Sequence, residues 1–363
     1  MKRSHALLLL LSAFVAVGCA SKPKTSKIEY LDDPPPEFRE VGGQAGTNDI
    51  ALFLAGKPVR RGAVLSKLQM TVDYQVHQRE MRSVWRRLAS RRVGWMSGWS
   101  SENLPSPGVV HYPFGGPDLL HVAAMFPSAP NYILLGLEGV GQVPPLESLP
   151  PGEVLGALPA YRAATKTQLS VGYFITKDMR ADLERSALRG VTPILLGTIA
   201  LMGGQISEVS SVSAGGKPGV QLNYRDAEGG RHRAVYISGD LSNGSFAGGY
   251  ESWVASQGRG VTYFKAASYL MHDERFSKVR NFYLANSNAI LQDDSGIPFR
   301  SFDQSKWSIR YFGDYQAPIE LFAKHAQSDL RAAYAANPKA PLPFGSGYRY
   351  APWEANLILA TKR

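Results

Sequence analysis

Apolar and polar positions change period several times along the chain, and those changes divide it into elements. From Val64 to about Met96, Leu65, Leu68, Met70, Val72, Val76, Met81, Val84, Trp85 and Leu88 recur at mixed spacings of three and four, with charges between them. That is the period of a helix with one buried face. "VVHYPFGGPDLLHVAAMFPSAPNYILLGLE", Val109 to Glu138, follows another logic. Val109 to Phe114 predicts a strand, Gly115-Gly116 a turn, and Pro117 to Phe126 a helix whose proline sits at N1, where its missing N–H costs nothing. Asn131 to Glu138 is a second, continuously apolar strand of the kind buried on both faces. Strand, helix and strand in this order make a βαβ unit with a right-handed crossover.

The proline-rich "VGQVPPLESLPPGE" breaks the pattern. Val154 to Met202 then reads as mainly helical, including Met179 to Arg189. The run "VTPILLGTIALMGG" is a buried helix, because a bilayer-spanning one needs roughly 20 apolar residues. Strict alternation in Ile206 to Ser213, Gly219 to Tyr224 and Arg233 to Ser238, with turn-rich separators, predicts an antiparallel meander. Leu241 to Gln257 predicts a helix, Val261 to Ala267 a strand and Phe276 to Asn286 a helix. Ala289 to Gln292 and Trp307 to Gly313 are strands, Ile319 to Ala336 is one helix, and "ANLILATKR" is a closing strand. The expected fold is α/β: a mixed sheet built from βαβ-type units, Rossmann-like in part, with a helical and β-meander central region. Residues 50–363 form this globular domain, and 150–250 are a candidate helix-plus-meander insertion in it.

The first fifty residues are different in kind. Met1-Lys2-Arg3 is positive, Ala6 to Val17 is apolar, and Gly18 precedes Cys19. This is a secretory signal pattern over residues 1–18, too short in its apolar part to span a bilayer. Ala16-Val17-Gly18-Cys19 resembles the lipobox of bacterial lipoproteins, with Ala16 where the family prefers leucine. The resemblance implies that Cys19 is lipidated and becomes the new N-terminus. Ala20-Ser21 stands where an aspartate would signal inner-membrane retention, which points to the outer membrane, facing the periplasm of a Gram-negative bacterium. Cys19 is the sole cysteine, so no disulfide competes for its thiol. Residues 19–49, with three consecutive prolines and a glycine pair, predict a flexible tether.

Composition adds limits. An apolar share of 44% with 17 tyrosines belongs to a globular chain. The formal charge of +10 is dispersed, densest in "RSVWRRLASRR" from Arg82 to Arg92. Such a cluster either faces solvent on a helix or meets an anionic surface. For an exported chain the expected partners are the membrane, through the lipid anchor, and an envelope polysaccharide or protein, with no nucleic acid.

The chemistry is less marked. Gly115-Gly116 followed roughly 20 residues later by Glu138 resembles a dinucleotide or methyl-donor fold. However, "FGGPDLLH" lacks G-x-G-x-x-G, and Pro117 removes an N–H that would face a phosphate. The expectation is a related fold with no cofactor-binding residues, and Asp118 serving the helix dipole. His272, Asp273, Asp293 and Asp294 are candidate ligands for a divalent metal, the one cofactor considered, because they fall near the carboxyl ends of strands. Glu138, at such an end, and Arg349 and Trp353 in the aromatic loop "PLPFGSGYRYAPWE" are binding candidates. No nucleophile motif is present; "SNGSFAGG" only superficially matches an elbow, and Lys265 and Ser268 near His272 have nothing but proximity. Two functions stay open: a binding or interaction module of unknown ligand, and a metal-dependent hydrolase acting on an envelope substrate. The phrases "YPFGGPD" and "ILQDDSGIPF" resemble a group of secreted bacterial proteins, which implies a shared fold and nothing chemical.

Overall fold

A computed structural model describes residues 45–171 and 188–363. Cys19 with its lipobox, most of the expected tether, and nearly all of the helix expected at 179–189 lie outside the described residues.

The described residues form one sheet of ten strands. In chain order these are β1 Val110–Pro113, β2 Asn131–Gly136, β3 Gln205–Ala214, β4 Lys217–Arg225, β5 Arg231–Ser238, β6 Val261–Phe264, β7 Ala289–Gln292, β8 Trp307–Gly313, β9 Lys339–Ala340 and β10 Asn356–Lys362. Their spatial order is β3-β4-β5-β2-β1-β6-β7-β10-β8-β9. The five central strands, β5-β2-β1-β6-β7, are parallel. Within that set the order is third, second, first, fourth, fifth, which is the doubly wound order with its reversal between β1 and β6. β3, β4 and β5 make the expected meander on one side, and β10 lies antiparallel between β7 and β8 on the other. Segment 150–250 is therefore continuous with the core: its last strand pairs with β2 from Asn131–Arg233 to Gly136–Ser238.

The period of two sorts side chains onto two cores. Tyr112, Tyr132, Leu134, Tyr236 and Tyr263 face one, under the helices Ala45–Leu54, Val72–Val84, Ser90–Asn103, Leu119–Met125, Pro151–Val171 and Thr192–Leu201. Ile133, Leu135, Val235, Ile237 and Phe264 face the other, under Asn243–Phe246, Gly249–Ser256, Ser277–Asn286 and Ser328–Ala336. The result is three layers, helix on sheet on helix. Thr192–Leu201 is buried along its whole length, as its unbroken apolar run requires.

Two expected boundaries are corrected by long-range contacts. The tether was expected to reach Asp49, yet residues 45–49 already belong to a helix. Asn48 exchanges hydrogen bonds with the backbone of Ile206 (Nδ2 to O 2.7 Å, N to Oδ1 2.8 Å), and buried Asp49 pairs with Arg60 at 2.9 Å. Residues 319–336 were expected as one helix but form a 3-10 segment, Glu320–His325, and then the helix Ser328–Ala336. The break holds Gln327, whose side chain accepts from Phe299 N at 2.8 Å and donates to Asp294 O at 2.9 Å, while its own N–H donates to Tyr315 Oη at 3.1 Å.

Candidate functional site

The order reversal between β1 and β6 sends the chain away from the carboxyl ends of these neighbouring strands by separate routes, the arrangement that opens a crevice in doubly wound sheets. Both departing loops are strained. Phe114 (φ 64°), Ala266 (51°), Ser268 (53°) and Tyr269 (54°) are the non-glycine residues with positive φ among the described residues, and all four lie just past β1 or β6. Such conformations cost about 1–3 kcal/mol each and need surrounding structure to hold them.

That structure comes from the β7 loop and the C-terminal loop. Asp293 Oδ2 accepts from Ala266 N and Ser295 Oγ from Ala267 N, both at 2.8 Å. Tyr348 Oη accepts from Ser268 N at 3.0 Å and donates to Ala266 O at 2.9 Å. Tyr269 Oη donates to Asp294, which also accepts from Asn356 Nδ2 at 3.0 Å. Gly347 lets the C-terminal loop close over Asp293: at φ +60° a Cβ there would lie 2.1 Å from Asp293 Oδ2. Burial pushes the carboxyls of Asp293 and Asp294 up, and for Asp293 the Asp294 charge adds to it.

On the face of the second core, these loops border a cavity of about 500 Å³. Leu135, Leu241, Leu270, Phe276, Ile319 and Phe322 make its walls, with Phe114 and Tyr348 at the loops. Among the described residues, Glu138 and Asp240 are its charged lining residues. Glu138 is buried; its Oε2 accepts from Tyr236 Oη at 2.9 Å and from Leu137 N at 3.1 Å. The glycine turn and Glu138 meet here, as their spacing in the sequence suggests. A Cβ on Gly136 would stand 2.5 Å from Glu138 Oε2 and 2.8 Å from the Cα of Gly116, so only glycine admits this approach.

On the opposite face, the same loops close over a filled network. Asp118 stands at the helix N-terminus but makes no cap; its fully buried carboxylate turns inward. It accepts from Tyr112 Oη at 2.9 Å, His121 Nδ1 at 2.7 Å, Lys265 Nζ at 2.7 Å and Gln168 Nε2 at 3.3 Å. Burial alone would push Asp118 up, but His121 and Lys265 draw it well below the usual carboxylate range. Burial pushes both the His121 imidazole and the Lys265 ammonium down, and the Asp118 charge opposes that in each. Nothing in the local sequence distinguishes this inward turn from a helix cap.

The four metal candidates do not come together. Asp273 is a surface residue that caps Glu274–Phe276 and pairs with Arg275 at 2.8 Å. Asp293 and Asp294 direct their oxygens to the strained loop, as described. His272 is pushed down to about 4, by burial first and then by His325 and nearby arginines. Among the described residues no group of three or more His, Cys, Asp or Glu is placed to hold a metal ion. The binding candidates separate too. Glu138 lines the cavity, whereas Arg349 donates to Ala317 O at 2.6 Å and borders a small crevice with Arg92, His121 and Lys265 on the other face. Trp353 is 80% exposed and lines neither. In the basic cluster Arg82, Arg86, Arg87 and Arg91 face solvent, and half-buried Arg92 reaches Leu169 O at 3.4 Å.

Among the described residues no helix is long and apolar enough to cross a membrane. Compared with family models, curated proteins and solved structures, the chain matches none.

Proposed function

We propose that the chain is a lipid-anchored protein of the bacterial cell envelope whose periplasm-facing α/β domain binds a small molecule in the cavity at the carboxyl ends of β1, β2, β5 and β6. The observation that carries the binding reading is a coincidence of place. A cavity of about 500 Å³, the size range of small-molecule sites, opens where the strand order reverses, and three of the four strained non-glycine residues among those described, Phe114, Ala266 and Ser268, line it. Strain concentrated at one place and held by buried carboxylates is a feature of sites that must keep a shape. The groups present favour binding over hydrolysis. Ser268 Oγ bonds to Tyr348 Oη at 3.0 Å, not to a base, and Asp293 and Asp294 hold the strained loop. The anchor reading is supported by the short apolar segment and by Ala16-Val17-Gly18-Cys19.

Both parts are open to test in the full chain, purified from envelopes in mild detergent. Mass spectrometry should find one small organic molecule per chain, absent from the cavity-filling Leu241→Trp variant. A bare chain in both preparations contradicts the binding reading. Cys19→Ser should lose the lipid mass and leave the membrane fraction; unchanged fractionation contradicts the anchor.

A further inference from the structure

We infer that the small crevice on the face opposite the cavity, bordered by Arg92, Lys265, Ser346 and Arg349, binds a small oxyanion, the head of a carboxylate or a phosphate. The inference stands apart from the cavity reading, because it concerns a different space and different residues.

Segments far apart in the chain bring their donors to this crevice. Arg92 comes from the helix Ser90–Asn103, Tyr263 lies in β6 with Lys265 just past its end, and Ser346 and Arg349 belong to the C-terminal loop. The enclosed space is about 10 Å³, room for a single water-sized group. One oxygen of an oxyanion fits that space, and the remainder of the ligand then lies at the mouth, where Arg92 and Arg349 are half-buried. A guanidinium presents a planar fork of N–H groups that matches carboxylate and phosphate oxygens.

The donors are only partly used by the chain. Lys265 Nζ gives one of its protons to Asp118 Oδ2. Arg92 gives one N–H to Leu169 O at 3.4 Å, and Arg349 gives one to Ala317 O at 2.6 Å. The hydroxyls of Ser346 and Tyr263 are buried, and among the described residues neither has a hydrogen-bond partner. They are neighbours, because Ser346 opposes the rise that burial imposes on the Tyr263 phenol. A bond between them uses one hydroxyl proton and leaves the other to donate, and a buried donor left unpaired costs free energy.

A water molecule would satisfy the hydroxyls but not the crowding of cations. Burial pushes the Lys265 ammonium down, and the Arg92 charge adds to that against the pull of Asp118. The acids close by have their oxygens on other donors: Asp118 on its four partners, Asp293 on Ala266 N and Ser295, Asp294 on Tyr269 and Asn356. An entering oxyanion meets both needs, accepting from the hydroxyls and offsetting the cations.

The test titrates inorganic phosphate, acetate and acetamide calorimetrically into the full chain in mild detergent, at neutral pH, with ionic strength held by sodium chloride. One oxyanion per chain should bind, about tenfold or more tighter than acetamide, the neutral counterpart of acetate. Phosphate tighter than acetate identifies a phosphate head; acetate equal to or tighter than phosphate identifies a carboxylate. Ser346→Ala and Arg92→Gln should each weaken that binding about fivefold or more. In urea unfolding without phosphate or acetate, Ser346→Ala should be no less stable than the parent, since its hydroxyl has no bond to lose. Lack of saturable binding by either oxyanion, acetate no tighter than acetamide, or unchanged affinity in either variant overturns the inference. So does a Ser346→Ala chain destabilised without oxyanion, because the hydroxyl would then serve the fold.

Discussion

Asp118 and Glu138 both stand at the carboxyl edge of the parallel strands, a few residues beyond β1 and β2, yet they end in opposite surroundings. Asp118 faces the first core and meets an ammonium, an imidazole, a hydroxyl and an amide; its capacity as an acceptor is filled from within the chain. Glu138 borders the cavity instead, and its Oε2 accepts from the Tyr236 hydroxyl and from Leu137 N. A buried carboxylate with its counter-charge in place is part of the scaffold. One at the wall of an open cavity also shapes the surface that a bound molecule would meet. The two faces of one loop pair thus divide the work: one fixes the loops, the other keeps a space.

The sharpest way to break this comparison is to strand the scaffold carboxylate. Lys265→Met leaves Asp118 buried without its cation and should cost about 3–5 kcal/mol in denaturant unfolding. Glu138→Gln keeps an acceptor for Tyr236 and for Leu137 N, so it should cost about 1 kcal/mol. Equal costs would mean that the two carboxylates do not differ in role.

A smaller effect distinguishes Asp118 from the pair that holds the strained loop. The carboxyls of Asp293 and Asp294 are raised in the fold, so ionising them costs the folded state. That cost is absent below the unfolded value near pH ~4, where both states are protonated, and complete above the raised folded value. The pair therefore lowers stability, by on the order of 1–3 kcal/mol, as pH rises through that interval. Asp118 has the opposite sign: its contribution is present above pH ~4 and is lost as pH falls toward its depressed value. Side-chain carboxyl chemical shifts should show Asp293 titrating above the ordinary range and Asp118 below it. A common midpoint for the three would remove the distinction.

The smallest effect belongs outside both faces. Trp353 is 80% exposed, and Trp353→Ala should change stability by less than about 0.5 kcal/mol and leave the small molecule found by mass spectrometry in place. Loss of that molecule in the variant would place the binding surface on the C-terminal loop instead of in the cavity.

What could be read from the sequence was what neighbours in the chain decide. The βαβ unit, the meander and the buried helix Thr192–Leu201 follow from local period, and Gly116, Gly136 and Glu138 meet because they belong to one βαβ unit. What could not be read depends on partners far along the chain. Asp118 after a glycine turn looks like a cap, whereas its inward carboxylate meets Gln168, 50 residues away, and Lys265, 147 residues away. Asp49 looked like tether until Arg60 and the docking of Asn48 on Ile206 placed it in a helix. Asp293 and Asp294 looked like metal ligands because adjacent acids at a strand end suit that role, whereas their oxygens stabilise backbone at Ala266 and the hydroxyl of Tyr269. The cavity's far wall comes from Leu241 and from Ile319 to Phe322, segments whose local pattern carries no sign of a shared space.

The most direct test of the cavity as a binding site is a crystal structure of the protein purified from envelopes in mild detergent. The account predicts density for one small organic molecule against Leu241, Phe276 and Phe322. A cavity that holds only water, or that molecule bound elsewhere on the chain, would contradict it.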